Sequence, residues 1–233
     1  FSMKNTMKRL LGGLLLGSMM VGLGAGCSKD SGQSGGGGSV THDKDTIVIA
    51  TMGETPSVSP YAHNASAGYA VNLLNYPSLL RLDNDLNPQP DLAESFTNID
   101  PTCWEFKLRQ DVKFHDGSTM TAEDVAYSMN RVINEEDPSY LTTHSYLLSN
   151  FESFEAVDDL TVIAHTIHPE PLFEHLLSDP NAGITSKAYV ESVGIDAAAL
   201  APVTTAPYKV VSFDPGQEVV LERFDDYWGE KAP

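Results

Sequence analysis

Cysteine is scarce in this chain, with two in 233 residues, Cys27 and Cys103. Cys27 closes an N-terminal leader, so the mature domain has no disulfide framework, and Cys103 beside Trp104 reads as a small apolar packing residue. Positive charge is scarce too. Fourteen Lys and Arg stand against 32 acids, a net charge of −18, and loss of the first 26 residues, with Lys4, Lys8 and Arg9 and no acid, takes it to −21. Such a surface speaks against nucleic acid as a partner and against electrostatic docking on anionic lipid. It suits solubility outside the cell, with steering of cationic ligands as the alternative. No apolar run reaches the roughly 20 residues that cross a bilayer as a helix. Catalytic signatures are missing as well: there is no Gly-x-Ser-x-Gly elbow, no phosphate loop and no His-Glu-x-x-His. The glycines of Gly22–Gly26 have neither a strand before them nor a helix after them, so they are no nucleotide loop. No enzyme and no cofactor is expected. His165, His168 and His175 are spaced as possible ligands, but the first two straddle a strand end and converge poorly on a metal.

What is present begins with a targeting segment. Lys4, Lys8 and Arg9 form a positive region, and Leu10 to Leu23 an apolar one of about 14 residues, too short to span a membrane. Phe1-Ser2 reads as an overhang before Met3 or Met7. The run ends in Leu23-Gly-Ala-Gly-Cys27, which is similar to a lipoprotein signal-peptidase site with Cys27 as the lipidated residue. Ala25 and Gly26 fit that pattern, whereas Gly24 stands where Leu, Val or Ile is commoner. A plain secretory signal with an incidental cysteine is the alternative. Residues 1–26 are thus read as signal peptide and 27–44 as lipidated Cys and tether. Ser31–Ser39 holds only Gly, Ser and Gln, behaves as random coil, and reaches on the order of 20 Å.

The body has the 41% hydrophobic and 20% charged content of an ordinary globular domain. Thr46–Thr51 is a β-branched run typical of a buried strand, and the Gly- and Pro-containing loop Met52–Asn64 follows. Ser66–Asn75 predicts a helix through Tyr69, Val71, Leu73 and Leu74. Ser78–Leu82 predicts a strand closed by the turn Asp83–Asp85. Trp104, Phe106 and Leu108 alternate, as do Val112 and Phe114, which predicts a hairpin or meander turned at Asp116-Gly117. Thr121 is placed as an N-cap with Asp124 completing a capping box, ahead of a helix over Ala122–Ile133 that buries Val125, Met129 and Val132. Glu123 and Asp124 are therefore read as capping groups and not as catalytic acids. Tyr140–Phe154 is weakly helical. Asp159–Ile167 predicts a strand, and Pro171–Leu177 a short helix over a sheet edge. Thr204–Phe213 and Glu218–Arg223 predict paired strands around the turn Asp214–Gln217.

Three of these stretches carry a resemblance. Phe114-His-Asp-Gly-Ser-Thr-Met-Thr-Ala-Glu-Asp-Val-Ala-Tyr-Ser-Met-Asn-Arg131 resembles the motif of the peptide- and nickel-type (family five) extracellular solute-binding proteins, receptors of bacterial ABC importers. That family shows a Phe-x-Asp-Gly turn, then Thr-Ala-Glu-Asp-Val, then Ser-x-x-Arg. Pro88–Phe96 is similar to its Pro-x-Leu-Ala-Glu-Ser segment, and Tyr227–Pro233 to its Tyr-Trp-Gly-x-x-Pro. Before the latter, Thr205-Ala206 replace the usual Thr-Gly of Gly-Thr-Gly-Pro-Tyr.

The resemblance implies an α/β fold: a periplasmic-binding-protein-like (type II) lobe with a mixed sheet. Residues 45–233 would be the N-terminal lobe, 81–200 an inserted subdomain, and the end at Pro233 a truncation at the hinge before a missing second lobe. Members trap ligand between lobes by hinge closure, so half a clamp should bind poorly. In peptide-binding relatives the loop after the first strand contacts an extended peptide by strand addition. Here that loop offers Met52, Glu54, Thr55, Ser57 and Tyr61, with Thr204, Thr205 and Ala206 at the lobe crossing. Glu54 either meets a cationic group or is solvated. The implied function is capture of oligopeptides or dipeptides, without chemistry, for membrane permeases and their ATPases. The protein would be a monomer, lipid-anchored through Cys27 on a Gram-positive surface, with a periplasmic site as the other option. The competing readings are a stand-alone peptide sensor or adhesin, and a nickel-chelate binder.

Overall fold

Alternation along Trp104, Phe106 and Leu108 dictates the main sheet, because every second side chain of a strand faces the same way. The protein is described from a computed structural model over residues 53–61, 66–133 and 148–230. In chain order the elements are α1 (Ser66–Asn75), β1 (Leu80–Leu82), β2 (Pro88–Pro90), β3 (Ala93–Asp100), β4 (Cys103–Leu108) and α2 (Ala122–Ile133). They continue with β5 (Phe151–Asp158), β6 (Thr161–Thr166), α3 (Phe173–Leu176), α4 (Lys187–Val193), α5 (Ile195–Leu200), β7 (Tyr208–Asp214) and β8 (Glu218–Arg223). Four strands form an antiparallel sheet in the order β3-β4-β6-β5, while β1-β2 and β7-β8 are two-stranded ribbons. All belong to the unit Val48–Pro233. The architecture is α/β.

One face of the sheet carries the core. Phe96, Phe106 and Val162 stand in one row, and Trp104, Ala164 and Phe154 in the next. α3 delivers Phe173 onto this face, stacked 4.4 Å from Trp104 and 5.3 Å from Phe151. Each such buried aromatic contributes about 1.5–3 kcal/mol. The short helix therefore covers the sheet's face and not its edge. Packed against β5 and β6, α2 buries Val125, Met129 and Val132 as its spacing predicts. The opposite face of the sheet carries the row Thr97, Glu105, Ile163, Glu155.

Both long helices have the expected bounds, but the faces of α1 differ from expectation. Asn72 and Asn75 turn inward, and Tyr69 and Leu73 outward. Val112 and Phe114 are buried as predicted, yet their stretch makes only the isolated bridge Lys113–Thr119. The chain turns too soon for a ladder: Phe114 N–H donates to Ser118 O at 2.8 Å, and Gly117 takes φ +86°, open to glycine without strain. Phe151–Phe154 is strand and not helix, because Phe151 and Phe154 pair along β6; residues 134–147 lie outside those described. So does the predicted strand Thr46–Thr51. β7 starts at Tyr208, four residues late, since Pro207 has no N–H to donate and Thr204 O is taken by His115 N–H. Neither α4, capped by Ser186 Oγ on Tyr189 N–H, nor α5 has an antecedent among the predicted elements.

A charged staple ties the terminal aromatic block down. Arg109 Nε donates to Asp91 O at 2.6 Å, and its guanidinium lies 5.1 Å from the centre of the Trp228 ring. The Asp91 carboxyl sits 3.9 Å from Arg81 Nε. Burial pushes it up to about 6, against the pull of Arg81 and Arg109. Because this value exceeds that of an unfolded aspartate, the carboxyl stabilises the fold fully below about pH 4 and loses that contribution as pH rises through about 6. Chemical unfolding between pH 4 and 8 is expected to show about 3 kcal/mol of such loss in the parent and none of it in Asp91→Asn. Parallel pH profiles for the two proteins would contradict the assignment.

Candidate functional site

The polar edge of α2 organises the region where the predicted contacts lie. Asp124 Oδ2 accepts from the Thr121 N–H at 2.9 Å and from its hydroxyl at 3.2 Å, the expected capping role. Its other oxygen accepts from the Lys187 N–H at 2.9 Å, at the start of α4. One turn on, Ser128 Oγ donates to Thr185 O at 3.2 Å and accepts from Thr185 N–H at 3.1 Å. A further turn on, the Arg131 guanidinium lies 4.4 Å from the centre of the Tyr61 ring and 5.4 Å from that of Tyr127, close enough for a cation–π attraction. Spacings of four and three bring these residues to one side of a helix. Glu123 stays at the surface, 3.4 Å from Lys187 Nζ.

The segment 183–187 held by α2 becomes a spine for both predicted contact regions. Tyr61 is buried against Tyr76 in an edge-on pair with centres 6.0 Å apart, and its hydroxyl donates to Gly183 O. Burial pushes the Tyr61 phenol up to about 12, partly offset by the Arg131 charge. A side chain at Gly183 would place its Cβ 2.6 Å from that of Tyr76, so only glycine lets the spine pass there. Thr55 and Ser57 are buried and fold the loop on itself: Thr55 Oγ1 donates to Ser57 O, and Ser59 N–H to Ser57 Oγ at 3.2 Å. Val58 N–H donates to Ala199 O at 3.1 Å, fixing the loop to α5. Glu54 is the exposed member. A Cβ on Gly216, in the β7–β8 turn, would be 3.3 Å from its carboxyl. Met52 lies outside the described residues.

On the other side of the spine, Thr185 Oγ1 and Ser186 N–H donate to Val203 O at 3.1 and 3.2 Å. Thr204, Thr205 and Ala206 follow, all fully buried. The Thr205 hydroxyl has no hydrogen-bond partner among the described residues. His115, from the motif's corner, reaches this segment twice. Its N–H donates to Thr204 O at 2.9 Å, and its ring Nε2 lies 3.0 Å from Ala206 O.

Two clusters of predicted residues thus share one support, with Glu54 alone presenting a charged side chain to solvent. Ser128, Arg131, Gly183 and His115 were not among the predicted site residues. The first two and His115 lie inside the recognised motif, whose regular spacing was the available signal; Gly183 gave none. Among the described residues no three of His, Cys, Asp and Glu come together as a metal site. His165 faces Cys103 across β4–β6, while His175 rides on α3.

Residues 87–233 match the family described as bacterial extracellular solute-binding proteins, family 5 Middle. The chain is 30% identical over 202 residues to the periplasmic oligopeptide-binding protein OppA of Escherichia coli K12, covering 80% of this chain and 37% of that one. It is 32% identical over 187 residues to the glutathione-binding protein GsiB of Pectobacterium atrosepticum, covering 80% and 36%. The solved structure of NikZ from Campylobacter jejuni with Ni(L-His) superposes with a TM-score of 0.70 at 28% identity, over 81% of this chain and 37% of the other. The chain therefore spans little more than a third of the length of such relatives. On this family match and on the fold, the chain belongs to the bacterial extracellular solute-binding proteins of family 5.

Proposed function

We propose that the chain is the N-terminal lobe of a substrate-binding lipoprotein that captures oligopeptides or dipeptides for an ABC importer. The observation that carries this is the match of residues 87–233 to the family, joined by the likeness to an oligopeptide-binding protein over 80% of the chain. Residues 81–200 act as an inserted subdomain, and a second lobe closes on the ligand by hinge motion. Glu54 offers its carboxylate to a ligand amine or cationic side chain. Met52, Thr55, Ser57, Tyr61, Thr204, Thr205 and Ala206 form the wall on that side, contributing main-chain groups to an extended peptide. Cys27 bears the lipid, the Ser31–Ser39 tether spaces the domain from a Gram-positive membrane, and the monomer hands its ligand to permease subunits driven by ATPases. No bond is made or broken, in keeping with relatives named as binding proteins.

Calorimetric titration of the protein expressed from its complete gene tests the reading, with Ala-Ala-Ala, Lys-Lys-Lys, glutathione and Ni(L-His) as probes. Saturable heat with a peptide, weakened about tenfold for Lys-Lys-Lys by Glu54→Gln as for loss of one charge-assisted contact, is the expected result. Binding of Ni(L-His) with no response to either peptide would overturn it in favour of a metal-chelate receptor.

A further inference from the structure

His115 is joined to more of the candidate site than any other single side chain of the corner. Its ring lies edge-on to Phe224, with centres 5.1 Å apart, and Phe224 N–H donates to Pro207 O at 2.8 Å. With the bonds to Thr204 O and Ala206 O, one residue touches the stretch entering β7 and the stretch leaving β8. The chemistry of the partner settles the tautomer. A carbonyl oxygen can only accept, so Nε2 must carry the proton in the contact with Ala206. Nδ1 is then the bare nitrogen, and it is buried with no hydrogen-bond partner among the described residues.

Protonation would convert Nδ1 into a buried donor with nothing to receive it, beside a second cation. The charged groups acting on the ring are Lys209 of β7, which opposes the positive form, and the adjacent Asp116, which favours it. Lys209 is itself paired with Glu222 of β8 at 3.2 Å. Burial outweighs the favourable contacts and holds the imidazole below its ordinary range. A histidine with a lowered folded-state value stabilises its surroundings while neutral, and that contribution fades as pH falls below the unfolded value near 6.5.

We propose that neutral His115, as the Nε2–H tautomer, is the positioning residue that locks Thr204–Ala206 and the base of the β7–β8 ribbon to the motif corner, and that its protonation releases them. The consequence for ligand rests on the binding function proposed above: acidification weakens capture by loosening one wall, without touching Glu54. The lock itself is independent of any ligand.

Ring ¹⁵N NMR of the chain at pH 7.5 is the first arm. A bare Nδ1 and a protonated Nε2 are expected; an Nδ1–H tautomer or a charged ring would overturn the proposal even if no variant folds. Amide hydrogen exchange is the second. Corrected for intrinsic chemical rates, exchange at His115, Thr205 and Ala206 should rise about five- to tenfold between pH 7.5 and 5 in the parent, the scale of one lost hydrogen bond. In His115→Gln, whose amide still donates to Ala206 O but does not titrate, it should stay level. An equal rise in both proteins would overturn the lock. These readouts stand whether or not a peptide binds, so failure of the lock and failure of the peptide reading remain distinguishable.

Discussion

The buried carboxylate of Asp124 joins two backbone stretches that the chain keeps 63 residues apart. It satisfies donors at the start of α2, which would otherwise be left open at a helix end, and a donor at the start of α4. Both are charge-assisted bonds, worth about 1.5–3 kcal/mol each. Ser128 and Arg131 extend the same edge along the helix, to Thr185 and to Tyr61. α2 is thus a beam with two working sides. Its apolar stripe sits on the sheet, and its polar edge sets the position of the spine 183–187. Tyr61 and the stretch leading into Thr204–Ala206 hang from that spine, through Gly183 O, Thr185 Oγ1 and the Ser186 N–H.

This division gives a structural task to each of the glycine turn, the acid, the serine and the arginine that the motif between Phe114 and Arg131 combines. Gly117 lets the corner turn, Asp124 and Ser128 hold the spine, and Arg131 stacks on the loop that carries Glu54. His115 adds a direct link from the corner to Thr204 and Ala206. Ala206, where the resemblance has glycine, takes no positive φ, so the backbone there does not demand glycine. The Asp91, Arg109 and Trp228 staple secures the chain beyond β8 in a similar way.

Much of this was legible in the sequence where periodicity and capping chemistry coincide. The bounds of α2 followed from Thr121, Asp124 and three apolar residues at helical spacing, and β4 from alternation at Trp104, Phe106 and Leu108. Tertiary contacts decided the rest. Alternation at Val112 and Phe114 marks burial correctly but not a ladder, since the hydrogen bonds of that stretch close a turn. The helix read into Phe151–Phe154 yields to hairpin pairing with β6, a cross-strand gain that local periodicity does not register. The inward Asn72 and Asn75 of α1 run against polarity altogether. In the candidate site, residue positions were named from a family pattern, but their burial was not readable: Thr55, Ser57, Tyr61 and Thr204–Ala206 are interior, and of the described members only Glu54 is exposed. The side chains that hold them in place, Ser128, Arg131 and His115, act through space on segments far along the chain.

Residue-resolved hydrogen exchange on Asp124→Ala tests the beam most directly. If α2's polar edge positions the spine, amides of 183–187 and of the loop 55–61 lose protection together, while β4, β5 and β6 keep theirs. Loss spread evenly over the sheet, or confined to the first turn of α2, would show that Asp124 merely caps its own helix and that the candidate site is held by something else.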